Sequence, residues 1–84
     1  MRPTPEQIIE DVEAEFGEDI KLARRASIHL CHKYSGMRLK ELGECFNVRD
    51  TGISEASRRF ARELEEDRKL MEVVERIKGK LKNV

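Results

Sequence analysis

Eighty-four residues with a mass of 9.8 kDa hold at most one small domain, too few for a closed barrel or a doubly wound sheet. Hydrophobic residues make up 38% and charged residues 40%, with no Trp and two Pro, which is lean but sufficient for a small helical core and unlike a disordered chain. The net charge of zero is an average over unlike thirds. Residues 1–20 carry one base against seven acids (−6), residues 21–62 carry ten bases against four acids (+6), and the remainder balances at six of each.

No apolar run approaches the roughly 20 residues that span a bilayer. The opening Met1-Arg2-Pro3-Thr4-Pro5 lacks the apolar stretch of a secretory signal, so a cytoplasmic location is expected. Cys31 and Cys45 are too few for a disulfide framework and are read as reduced thiols in core or half-core positions.

The first helix is announced by Thr4 as N-cap, Pro5 at the first helical position and Gln7 placed to complete a capping box. Ile8, Ile9, Val12 and Phe16 follow at helical spacing, and Gly17 supplies a left-handed stop. A second helix is expected from near Asp19 to Tyr34, closed by Ser35-Gly36, with Ala23, Ala26, Leu30 and Tyr34 on its apolar face. On that reading Tyr34 closes the core, while His29 and His32 sit on the outer surface.

Leu39, Leu42 and Phe46 mark a short third helix. A fourth, capped by Asp50 or Thr51, carries Ile53, Ala56, Phe60 and Leu64. Asp67 either caps a fifth helix or lies inside a continuous fourth one. Leu70, Met71, Val73, Val74, Ile77 and Leu81 are core positions, numerous enough for one helix to leave room for a homodimer contact. No strand pattern or repeat occurs, so the expected fold is all-α, four to five helices in one domain over residues 1–84.

Leu39 to Ala56 has the register of a helix-turn-helix, spanning about residues 39–64 with its second helix complete. Gly43 sits mid-helix, where Gly costs about 1 kcal/mol relative to Ala; a closely crossing second helix would account for it. Four residues on, Asn47 suits a left-handed turn position, and Val48 is the apolar plug. Ile53 and Ala56 then face back toward Leu39 and Leu42.

In such a motif the second helix meets base edges in the major groove. The candidate base contacts are Arg49, Thr51, Gly52, Ser54, Glu55 and Arg58: hydroxyls that donate or accept, a guanidinium that can fork onto guanine, a carboxylate that can accept from a cytosine amine, and a Gly that admits the backbone. Arg24, Arg25, Arg38, Lys40, Arg59 and Arg62 are the candidate phosphate contacts.

Leu30, Leu39-Lys40-Glu41-Leu42-Gly43, Phe46, Arg49-Asp50, Ala56 and Arg58-Arg59 together resemble the C-terminal DNA-binding domain of the bacterial replication initiator DnaA, a fold of Trp-repressor-like kind. Ala56 through Asp67 is similar to the related C-terminal domain of some REP-associated tyrosine transposases. The resemblance covers about residues 6 to 80 and is specific over Leu39–Phe60. It implies double-stranded DNA as partner, for a stand-alone protein or the module of a larger one. The initiator's Asp-His-Thr-Thr contact set is here Asp50-Thr51-Gly52, one residue shorter and without the His, and the initiator's basic loop is reduced to Lys21, Arg24 and Arg25.

Catalysis is not expected. His29, Cys31, His32 and Cys45 lack the spacing of a metal site, there is no Gly-rich phosphate loop, and Tyr34 has no sheet to carry a transposase centre. No cofactor, metal, membrane or small-molecule substrate is expected. The rival reading is a helical protein-interaction or dimerisation module using the Leu70–Leu81 surface.

Overall fold

A computed structural model describes residues 3–82; Met1, Arg2, Asn83 and Val84, the ends of the expected domain, lie outside the described residues. The chain is all-α. Among the described residues the helices are α1 (Pro5–Phe16), α2 (Ile20–Tyr34), α3 (Leu39–Phe46), α4 (Asp50–Glu66) and α5 (Arg68–Lys82).

Local chemistry sets most of the boundaries. The Gln7 N–H donates to Thr4 Oγ1 at 3.2 Å, the Leu22 N–H to Asp19 Oδ1 at 3.1 Å, and the Leu70 N–H to Asp67 Oδ1 at 3.1 Å. Each removes one orphan donor from a first helical turn. Asp67 is therefore a break, its backbone extended at φ −126° and ψ 103°, and α4 does not run on into α5. Gly17 ends α1 with φ +50° and donates to the Glu13 carbonyl. The α4 cap is Arg49, with extended backbone and no side-chain cap bond; Asp50 is already helical. Asp50 contributes there through its charge on the helix dipole, not as the cap.

α2 is the central post. It packs on α1, α3 and α4, while α5 closes against α1 and α4. Enclosure on three sides explains why every residue from Ala26 to Cys31 is buried. An amphipathic helix with one wet face would leave a gap in such a run. His29 is accordingly in the core, only 5% exposed, and not on the helix surface. Tyr34 departs in the other direction. It lies in the last turn of α2, beyond the buried run, and is exposed at 38% instead of closing the core.

The other helices contribute one stripe each. Ile8 and Val12 come from α1, Leu42 and Phe46 from α3, and Ile53, Phe60 and Leu64 from α4. Leu70, Val74, Ile77 and Leu81 of α5 belong to the same cluster, with Met71 and Val73 packed against it. Leu70, Val74, Ile77 and Leu81 are thus used inside the chain, with Met71 and Val73 half-buried beside them. Cys31 is core, and burial, reinforced by nearby Cys45, pushes its thiol up to about 12. Cys45 is exposed, because the inward positions of α3 are taken by Leu42, Gly43 and Phe46.

The α3–α4 connection turns within Asn47–Arg49. Asn47 holds φ 57° and ψ 46°, the left-handed region, and Val48 N–H returns to the Gly43 carbonyl at 2.9 Å. A Cβ on Gly43 would lie 2.5 Å from the Val48 carbonyl oxygen. The obstacle that demands Gly is the turn's own backbone folded over α3, not a crossing helix. Val48 itself is 36% exposed; its Cγ1 covers Gly52, where an added Cβ would meet it at 3.2 Å. It is a lid on the α4 side of the turn rather than a buried plug.

Two glycines give a paired test. Gly43→Ala should destabilise the fold by about 1–3 kcal/mol, since the clash is with backbone that cannot rotate away. Gly79→Ala, with nothing within 4 Å of the added Cβ, should stabilise it by about 0.4–1 kcal/mol. Urea unfolding monitored by circular dichroism measures both.

Candidate nucleic-acid interface

The turn and α4 divide the candidate residues into groups. Thr51, Ser54, Glu55 and Arg58 are brought together with Leu39 and Asp50 around one shallow groove of about 300 Å³. Lys40 and Arg49 lie across the turn, around a second depression of about 450 Å³ with Gly43, Glu44, Asn47, Val48 and Asp50. Gly52 belongs to neither. It is half-buried beneath Val48, so its lack of a side chain serves the turn.

The basic side chains differ in their commitments. Arg59 pairs with Glu55 at 2.9 Å, an i, i+4 contact with both partners largely in water, which is worth little to the fold but occupies the carboxylate proposed to read bases. Arg25 of α2 reaches Glu63 of α4 at 3.3 Å. Arg24 donates to the carbonyl of Phe46, one of the orphan acceptors at the end of α3; this is a clamp between α2 and α3, and Arg24 is not among the residues lining the Thr51–Arg58 groove. Arg38 is the N-cap of α3, its backbone N–H held by Glu41 Oε1 at 3.2 Å. Arg38, Lys40, Arg49, Arg58 and Arg62 are exposed, with no ion pair among the described residues.

Behind this face lies a polar cluster that the sequence reading missed. Ser57 is buried on the inward side of α4. His29 Nδ1 stands 3.1 Å from the Ser57 carbonyl and 3.0 Å from its Oγ, and His32 Nδ1 stands 3.2 Å from the same Oγ. A carbonyl only accepts, so His29 carries its hydrogen on Nδ1, and the Ser57 hydroxyl is free to donate to His32. The His29 ring also packs on Phe60, centroids 5.3 Å apart at 50°. A signal was present: Ile53, Ser57, Phe60 and Leu64 fall at i, i+4, i+7 and i+11, so a Ser on the core stripe of α4 required a polar partner from the facing helix.

Burial lowers the His29 pKa below its ordinary 6.5. The hydrogen bond to the Ser57 backbone opposes this, and Lys33, Lys78 and His32 lower it further. Among the described residues no group of three or more His, Cys, Asp or Glu is placed to hold a metal ion. Nor is any described helix long and apolar enough to cross a membrane. In comparison with known proteins, neither a family model nor a curated sequence matches this chain.

The unfolded chain binds a proton at His29 near pH 6.5, whereas the folded chain resists it until lower pH. Stability from the neutral, buried ring is therefore present above 6.5 and lost as pH falls through the interval between 6.5 and the lowered folded value. The urea midpoint should drop as pH falls below about 6.5, and His29→Gln should flatten that part of the profile. An equal drop in the variant would assign it to other groups.

Proposed function

We propose that this chain is a non-enzymatic, double-stranded DNA-binding domain of the helix-turn-helix kind, with α4 as the recognition helix. The observation that carries the reading is the placement of Arg58 and Arg62. Both are exposed without an ion pair among the described residues, on the face of α4 opposite buried Ile53, Ser57 and Phe60. Arg58 stands over the hydroxyls of Thr51 and Ser54 at the N-terminal half of the helix, the part that meets base edges in this docking mode.

Two i, i+4 arginines repel each other and cost the helix a little in isolation; a polyanion turns that cost into attraction. Lys40 and Arg49 across the turn extend the positive surface toward the flanking phosphates. Arg24, Arg25 and Arg59 already have protein partners, so a duplex would gain less from them. The resemblance of Leu39–Phe60 to the replication-initiator domain agrees with this reading and points to a bacterial setting, whether replication-like or transposase-associated. The rival reading through Leu70–Leu81 has less apolar surface to draw on, because Leu70, Val74, Ile77 and Leu81 are core.

Fluorescence anisotropy of a labelled mixed-sequence duplex should give an affinity that falls with salt at a log–log slope of about −3 to −5. Arg62→Ala should weaken all duplexes alike and reduce the slope by about 0.9, the share of one phosphate contact. Arg58→Ala should relax base preference at one position after site selection. Absence of binding at low salt would exclude the proposal.

A further inference from the structure

The α1–α2 side of the molecule carries an apolar groove that DNA binding does not use. It holds about 370 Å³, walled by Ile9 and Glu13 of α1 and by Ile20, Ala23 and Arg24 of α2, with Phe46 at the end of α3 closing it. No residue of α4 lines it. Ile20 stands at the rim, 78% exposed, the most exposed large hydrophobic side chain among the described residues. A lone apolar side chain in water is ordinary, whereas one continuous with an apolar groove is a patch that calls for cover.

The groove is charged at two points of opposite sign. Glu13 and Arg24 are both exposed, and neither is in an ion pair among the described residues. Arg24 has one terminal nitrogen on the Phe46 carbonyl, which leaves other donors of its guanidinium fork available. Knob, groove, acid and base thus lie on one surface. We propose that this surface pairs with itself: a second copy of the chain docks about a two-fold axis, each Ile20 entering the other's groove and each Glu13 meeting Arg24 of the other copy.

A two-fold contact requires one patch to supply both halves of every interaction, and these residues do so. An unrelated apolar ligand would fill the groove and leave Ile20 in water; a second copy covers both. Glu18, Asp19 and Lys21, beside Ile20 in sequence, do not line the groove. The contact closes on itself, so assembly stops at the dimer. It involves no residue of α4 and stands apart from the DNA reading.

Sedimentation velocity of the full chain without DNA tests it. Between about 10 μM and about 1 mM, the range open to a small interface, the weight-average mass should climb from 9.8 kDa toward twice that value and no further. Ile20→Glu, a change at a side chain mostly in water, should keep its helicity by circular dichroism and remain at 9.8 kDa. Glu13→Arg alone and Arg24→Glu alone should each weaken pairing at least about 10-fold, since each sets like charges opposite one another twice per dimer. An equimolar mixture of those two variants should pair again, because both contacts between the unlike copies are then restored. Ile20→Glu keeps the test decisive should Arg24→Glu lose helicity along with its hold on Phe46. A wild type that stays at 9.8 kDa, a mass beyond twice that value, pairing by Ile20→Glu, or a mixture of folded variants that stays monomeric would each overturn the proposal.

Discussion

The enclosure of α2 is the constraint on which the molecule depends. Six consecutive residues, Ala26 to Cys31, are withdrawn from water, and the helices that withdraw them are α1, α3 and α4. A helix buried on three sides has to satisfy whatever polar groups it carries. His29 and His32 do so through one Ser57 on α4. No buried side-chain nitrogen or oxygen is left without a partner among the described residues. The interface that presents α4 is therefore fixed by hydrogen bonds with direction as well as by apolar contact, which favours a single rotational setting of α4 against α2.

That setting decides which residues of α4 face outward. With Ile53, Ser57, Phe60 and Leu64 turned in, Arg58 and Arg62 must turn out. The turn before α4 adds a second control. Asn47 in the left-handed region and Gly43 beneath the Val48 carbonyl allow only a short, closed connection, so the start of α4 is held to the end of α3. Arg24 fastens that same end of α3 to α2. Residues spread over three helices thus behave as one rigid mount for the Thr51–Arg58 groove.

Much of this was legible in the sequence where the cause is local. Thr4, Asp19 and Asp67 are caps because a short oxygen-bearing side chain reaches an amide three residues on, and that geometry travels with the sequence. Asn47 was legible for the same reason, since few residues other than Gly tolerate its backbone. What failed was long-range. Whether His29 is wet or dry depends on how many helices surround α2, and one helix's periodicity does not contain that number. Cys45 and Tyr34 were assigned inward on residue type, whereas Cys45 points off the inward face of α3 that Leu42, Gly43 and Phe46 occupy and Tyr34 lies past the buried run of α2. The candidate site was legible as a set of residue types; which arginines would be taken up by Glu55, Glu63 or a carbonyl was not.

The bond pair at Glu15 has a consequence for how the chain is made. Its partners Arg76 and Lys80 lie more than 60 residues downstream, and α5 is also one of the two supports of α1. During synthesis α1 leaves the ribosome well before α5, the second wall of its binding site. α2, α3 and α4 can meet one another earlier, through contacts of shorter sequence separation, and such contacts form at lower entropic cost. The apolar side of α1 that bears Ile8 and Val12 can meet α2 early, but its cover is completed only when α5 emerges.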